Sequence, residues 1–292
     1  MPSRLARLPL SFSRYIASQH SARPAMTDTA FRPSFSHFGG PEIAMMERFT
    51  GGQAVQSLLE LSGIYEAIEK ADKPVDVVEN AAGAGVLTSA LKAKVKGEGK
   101  VKIVMGDVEE KMVQLAKQRR EVEEWKDVEV KVMDGMNVPL PDNSFDFAFI
   151  HFGLQLFPDA AKGISECHRL LRPSGVLGYT IWHSPGFLPL LQRADPSFRM
   201  PPTFSNPFTS LSTLSTTLTH HGFLNPRTAP LEVPAHFEST DKFFEMMKLG
   251  VRGLFMDEER NERMRKLLVE EHGEGPFTLW WRGASVVAIK AE

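Results

Sequence analysis

The chain has 292 residues, of which 42% are hydrophobic and 24% charged, with a formal net charge of −2; this is the composition of a globular protein with room for one α/β domain and an appended cap. The near-neutral charge balance lacks the basic excess of a nucleic-acid binder, and no apolar run reaches the roughly 18–20 residues that span a bilayer. One cysteine, Cys167, excludes an internal disulfide and suits a reducing compartment such as the cytoplasm.

Residues 1–27 carry Arg4, Arg7, Arg14 and Arg23, several serines and no acid; the first acid is Asp28. With Leu5, Leu8, Leu10, Phe12, Tyr15 and Ile16 they can form a basic amphipathic helix of the kind that directs proteins to mitochondria; a disordered leader, or a true start at Met26, are the alternatives. Residues 1–36 are expected to form a flexible leader, and 37–292 one domain with its core at about 55–183 and a cap with the final strands at 184–292. Residues 28–54, rich in Phe, Pro, Gly and Met, read as an irregular arm. The segment VQSLLELSGIYEAIEK (55–70) predicts a helix with Leu58, Leu61, Tyr65 and Ile68 on one stripe.

A strict alternation follows. Strands are expected at 75–80, 100–106, 128–134, 145–152 and 175–183, with helices at about 87–96, 108–125 and 158–173. Such alternation implies a mostly parallel, doubly wound sheet covered on both faces. Residues 184–217 show little period. Two further strands are expected at 223–237 and 278–292, with a charged helical stretch over 240–271 between them, as a final antiparallel pair with a helical insertion.

In doubly wound folds the ligand lies beyond the carboxyl ends of the strands, where strand order reverses. The first strand ends in VVENAAGAG (77–85), where Gly83 and Gly85 permit a sharp turn into a helix. A GxG turn also occurs in dinucleotide-binding proteins, but Thr88 replaces their third glycine, and Glu79 would repel a pyrophosphate. A ligand bearing an ammonium and a sulfonium meets no such repulsion, which favours S-adenosyl-L-methionine over NAD. Asp107, after the second strand, can accept from both ribose hydroxyls, or can cap the following helix. Asp134, after the third, can accept from an adenine amino group with Gly135 allowing close approach, or can be a turn residue. Asp146 opens the fourth strand as a structural residue. His151, Phe152 and Gln155 follow that strand and are expected beside the reactive methyl.

The set resembles class I methyltransferases, in the branch related to ubiquinone/menaquinone C-methyltransferases. VVENAAGAG, VMGDVEEKM, MDGMNVPLPDNSFDFAFIHF and HRLLRPSG occur in that family's order and spacing across about 58–183. ENAAGAG, FGLQLFPDA, ISECHRLL and Ile181–Trp182 are similar to fungal small-molecule methyltransferases of secondary metabolism, including the thiol methyltransferase acting on gliotoxin-type dithiols. The resemblance implies a Rossmann-like seven-stranded sheet with an antiparallel final pair, and S-adenosyl-L-methionine as cofactor. It implies cofactor contact for Glu79, Gly83, Asp107, Val108, Asp134, Gly135 and His151 or Phe152; Asn80, Ala81 and Gly85 of the turn, and Met112 of the following helix, complete the candidate set. The chain departs from the family at Ala81, in place of the usual first glycine, at Ala82, in place of a frequent cysteine, and at Ser174, in place of the first glycine of Pro-Gly-Gly.

Methyl transfer is an in-line displacement, so alignment and desolvation can supply much of the rate. A thiol or acidic hydroxyl needs no strong base, whereas a neutral hydroxyl or amide does. His151 and His183 follow strands on the binding edge and are candidate bases, or satisfied edge histidines; His168 sits mid-helix and reads as structural. A base role predicts that His151→Ala lowers turnover and leaves cofactor affinity nearly intact. Gln155, Trp182 and Phe187 are candidate substrate-binding residues, although aromatics of this kind also form core. Trp280–Trp281–Arg282 reads as edge-strand packing. No CxxC, HExxH or GxSxG pattern is present. The competing functions are a cyclase-like enzyme that keeps the cofactor without methylating, a binding protein that has lost activity, and a nicotinamide oxidoreductase.

Overall fold

The computed structural model describes residues 40–95, 97–199 and 207–292; the expected leader at 1–36 lies outside them. The elements are α1 Gly40–Thr50, α2 Gln53–Ser62, α3 Ile64–Lys70, β1 Val75–Asn80, α4 Val86–Lys94, β2 Val101–Asp107, α5 Glu110–Val122, β3 Val128–Val132, β4 Phe145–His151, α6 Ala160–Leu170, β5 Leu171–Ser184, α7 Leu188–Ala194, α8 Leu214–His220, β6 Phe223–Phe237, α9 Thr240–Gly250, α10 Glu258–His272 and β7 Phe277–Lys290. Short 3₁₀ turns occupy Leu154–Leu156 and Arg252–Phe255.

The strands form one seven-stranded sheet in the order β3-β2-β1-β4-β5-β7-β6. β1 pairs in parallel with both β2 and β4, and β7 runs antiparallel between β5 and β6. The expected doubly wound sheet with an antiparallel final pair is therefore what forms. Strand order reverses between β1 and β4, which places the switch point at Asn80 and His151.

Side-chain alternation explains the two covered faces. Val77, Phe147 and Phe149 join Leu58, Leu87 and Val113 on one side. Val78, Ala148 and Ile150 join Ile164, Cys167 and Leu218 on the other. A strand buried on both faces has no polar side to show, hence the nearly unbroken apolar run FDFAFI. A third cluster, dominated by Phe187, Phe237, Phe243, Phe244, Phe255, Phe277 and Trp281, fills the cap.

Several expectations change. The irregular arm contains a helix, α1. The single helix over 55–70 is broken by Gly63, whose φ of 74° is left-handed and ends α2 before α3 begins. The aperiodic 184–217 contains α7 and the start of α8, each too short for period to register. The charged stretch 240–271 divides into α9, a 3₁₀ turn and α10. Trp281 is not on an edge: β7 is an inner strand, and the buried indole packs into the cap against Phe187 and Phe237.

Candidate functional site

At the end of β1 the chain turns sharply into α4. Gly85 holds a φ of 81°, a conformation that calls for glycine, and a Cβ there would also displace the end of the Met105 side chain. Ala81 takes a φ of 54°, the left-handed region where an L side chain is strained. Glu79 lies beneath the turn, 1% exposed. Its Oε2 accepts from the Thr88 hydroxyl at 2.5 Å and the Thr88 N–H at 3.2 Å, in the first turn of α4. Burial pushes its carboxyl up to about 7 against the pull of those bonds. Thr88, which the sequence marked only by breaking a glycine pattern, is thus the partner that holds Glu79.

Asp107 closes β2. Its Oδ2 accepts from the Gly83 N–H and its Oδ1 from the Glu109 N–H, at 2.9 and 3.0 Å. The carboxylate therefore braces the glycine turn; Glu109 holds the N-cap position of α5 without a side-chain cap bond, and Asp107 accepts from the N–H of that residue. Burial raises the Asp107 pKa despite these bonds. Each oxygen keeps a second lone pair for a ligand hydroxyl. Beside it Val108 is 62% exposed, an apolar side chain turned outward at a strand end, while Met112 in the first turn of α5 is buried.

Asp134 is exposed and accepts from the Met136 N–H, so its turn role is realised. Gly135 is buried, and a Cβ there would collide with the Asn80 amide and the Phe157 ring. Asn80 donates to the Gly135 carbonyl at 2.9 Å, which ties the β1 and β3 ends together. Its Oδ1 is buried with no hydrogen-bond partner among the described residues. The loop that follows is clamped from α6: Arg169 donates to the carbonyls of Val138 and Leu140 and pairs with Glu166 and Asp142.

After β4, His151 and Phe152 are held by Thr180 of β5. The Phe152 N–H donates to Thr180 Oγ1, and the Phe152 ring stacks on Trp182 at 4.3 Å between centroids. Both His151 nitrogens are engaged, Nε2 with the Thr50 carbonyl at 2.6 Å and Nδ1 with Thr180 Oγ1 at 2.9 Å. Burial lowers the ring pKa to about 4. The imidazole is therefore neutral near pH 7 with no nitrogen left over, the arrangement of a satisfied histidine. His183 is exposed, with its pKa lowered by partial burial and by Arg282. His168 packs edge-on against Phe223, a structural role.

Among the substrate candidates, Gln155 uses its whole amide on one neighbour: Nε2 donates to the Trp182 carbonyl and Oε1 accepts from the Trp182 N–H. It acts as a substitute strand that fixes Trp182. Phe187 is buried edge-on between Phe255 and Trp281 in the cap.

The helix α1, within the segment expected to be an irregular arm, also reaches this region. Its Glu47 pairs with Arg119 of α5, its Phe49 ring lies 4.8 Å from Trp281, and its Thr50 carbonyl meets His151. The readable signal was Gly-Pro before EIAMMERF, a helix start with proline in the first turn. A separate cavity of about 670 Å³ lies at the opposite sheet edge, where Arg172 pairs with Asp76 and Asp146; this is the structural place expected of Asp146. No group of three or more His, Cys, Asp or Glu side chains among the described residues could hold a metal ion. No described helix is long and apolar enough to cross a membrane.

The chain is similar to known proteins in sequence and in fold. Residues 63–200 match the model of the ubiE/COQ5 methyltransferase family. The chain is 28% identical over 158 residues to methyltransferase tpcH of Aspergillus fumigatus, covering 52% of this chain and 55% of that protein. It is 26% identical over 145 residues to acetylaranotin bis-thiomethyltransferase of Aspergillus terreus, covering 49% and 47%. The chain thus spans about half the length of the curated relatives it matches. Among solved structures, phosphoethanolamine N-methyltransferase 2 of Haemonchus contortus, in complex with S-adenosyl-L-methionine, shares the fold with a TM-score of 0.53 at 16% identity, over 91% of this chain and 61% of that one. The fold is that of a class I methyltransferase.

Proposed function

We propose that this chain is an S-adenosyl-L-methionine-dependent methyltransferase acting on a small-molecule nucleophile, a thiol, hydroxyl or similar group, in secondary metabolism. One observation carries the reading: Glu79, Asp107 and Asp134 stand at the carboxyl ends of three successive strands, around a glycine turn with no Lys or Arg between Glu79 and Leu91. Such a set of acceptors opposes a pyrophosphate and suits a ribose diol joined to a cationic tail. The family match spans this turn, and the similarity to a bis-thiomethyltransferase supports a thiol acceptor.

Bound there, S-adenosyl-L-methionine supplies a methyl group on a sulfonium leaving group. In this reading Asp107 accepts from the ribose, and Val108, Asp134 and Gly135 flank the adenine. Gly83, Gly85 and Ala81 bring backbone close to the methionine part. Glu79 and Asn80 lie below, the first as a counter-charge and the second with its unpaired Oδ1. The Phe152–Trp182 stack and the Phe187 side of the cap exclude water from the reacting pair, where alignment and desolvation supply the rate.

The division into a methyltransferase domain at 37–292 with a substrate-side cap at 184–292 belongs to the same proposal, as does action on a small molecule rather than nucleic acid. We place the protein in the cytoplasm on the strength of its single, buried thiol Cys167; imaging of a tagged full chain separates this from the mitochondrial alternative.

Calorimetry with S-adenosyl-L-methionine and with NAD tests the cofactor. Binding of the first alone is expected, weakened about 10–100-fold by Asp107→Ala, as for loss of charge-assisted hydrogen bonds. Incubation with thiols, phenols and carboxylic acids, read by mass shift and by release of S-adenosylhomocysteine, tests transfer and separates it from cofactor retention without methylation. Absence of S-adenosyl-L-methionine binding at millimolar concentration sinks the reading.

A further inference from the structure

The hydrogen bonds of His151 define its tautomer. A carbonyl can only accept, so the nitrogen facing Thr50, Nε2, carries the hydrogen. Nδ1 then holds the lone pair, and it faces the Thr180 hydroxyl. Thr180 Oγ1 already accepts from the Phe152 N–H, which leaves its own hydrogen to give to Nδ1. The lone pair that a base would use is thereby occupied. The result is a continuous run from the Thr50 carbonyl through His151 and Thr180 to the Phe152 backbone.

This run ends on α1, and α1 is fastened a second time. Its Glu47 forms an ion pair with Arg119 of α5, with side chains only 12% and 3% exposed. α5 follows β2, and His151 ends β4. β2 and β4 are the two neighbours of β1, the strand that carries the glycine turn. The two fastenings therefore land on either side of the turn, and α1 is secured across the crevice where strand order reverses.

We propose that His151 is a positioning residue: it fastens the carboxyl end of α1 over the cofactor crevice, and its imidazole takes no proton from the substrate. The inference rests on the site assignment made under Proposed function.

Arg48 lies exposed within α1 and offers trypsin a cleavage point that opens only when the helix does. The full chain and three variants are digested briefly, and cleavage after Arg48 is followed by mass spectrometry, with S-adenosyl-L-methionine affinity measured in parallel by calorimetry. In His151→Ala, cleavage at Arg48 is expected to rise about tenfold and affinity to fall about tenfold, the scale of one lost buried hydrogen bond. His151→Gln can donate to Thr50 and accept from Thr180 but cannot act as a base; both readings should return to within about threefold of the unaltered chain. Thr180→Val keeps the imidazole and removes its partner, and should expose Arg48 as His151→Ala does.

Unchanged cleavage in both His151→Ala and Thr180→Val overturns the proposal. So does a Gln variant that protects Arg48 yet, with whichever acceptor of the thiol, phenol and carboxylic acid set the unaltered chain methylates, transfers no more methyl by mass shift than the Ala variant, since that is the signature of a base. If His151→Ala fails to fold, the Gln and Val variants decide. If the unaltered chain does not bind S-adenosyl-L-methionine, the functional reading falls while the digestion still judges the fastening.

Discussion

Ala81 and Ser174, where the resemblance leads glycine to be expected, both adopt positive φ, 54° and 65°. The backbone there favours glycine, and this chain meets the requirement with strain. Ser174 is exposed and its side chain has little packing to lose. Ser174→Gly is expected to stabilise the fold by about 1 kcal/mol, read as a raised urea midpoint at constant slope. Glu79 makes a pH prediction. Its folded pKa, about 7, lies above the unfolded value of 4.5, so the folded state holds a proton that the unfolded chain releases. Its contribution is complete below about 4.5 and is lost as pH rises through about 7. His151 works in the opposite sense: its folded pKa of about 4 lies below 6.5, so stability falls as pH drops through that window. The two offset in the unaltered chain, and the difference between it and Glu79→Gln isolates the first. Glu79→Gln should gain stability relative to the unaltered chain between pH 5 and 8, by roughly 1–3 kcal/mol, in melts recorded across pH. A gain that does not grow with pH would discard the assignment.

Elements differ in how openly their sequences announce them. β1, β2 and β4 follow from short apolar runs with turn residues on either side, and α6 from Ala160, Ile164 and Cys167 at helical spacing, with Asp159 accepting from the Lys162 N–H as its cap. α1, α7 and α8 are at most 11 residues long, and part of each face is buried by distant segments rather than by a repeating stripe. α6 also does something its period does not reveal: through Arg169 it holds the loop after Asp134. Arg169→Ala removes donors to the Val138 and Leu140 carbonyls and is expected to cost about 2 kcal/mol, with faster amide exchange over 137–142 and little change in β1.

On the scale of the whole molecule, the cap cluster is distinct from the two clusters on the faces of the central strands, although β6 and β7 supply part of it. The cap core is built from phenylalanines, with Phe243 and Phe255 fully buried and Phe237 stacked on Phe277. Phe255→Ala should destabilise by about 3–5 kcal/mol. Because its contacts lie in the cap cluster, the amides of α9 and α10 should lose protection before those of β1 and β4 in hydrogen exchange. Uniform loss across the sheet would show instead that cap and sheet unfold as one unit.

By itself the sequence determined the doubly wound sheet, its antiparallel final pair and the acids at the strand ends. Hydrophobic period and turn chemistry are local, and a strand buried on both faces declares itself within a few residues. Only the tertiary structure decided what the site's polar groups do. His151 read as a candidate base because it follows a strand on the binding edge. Its two partners are Thr180 and the Thr50 carbonyl, the latter 101 residues away in the chain. Gln155 read as a substrate contact, and its amide belongs to Trp182, 27 residues on. Pairings at such separations are set by sheet register and by the course α1 takes across the strand ends, and local patterns report neither.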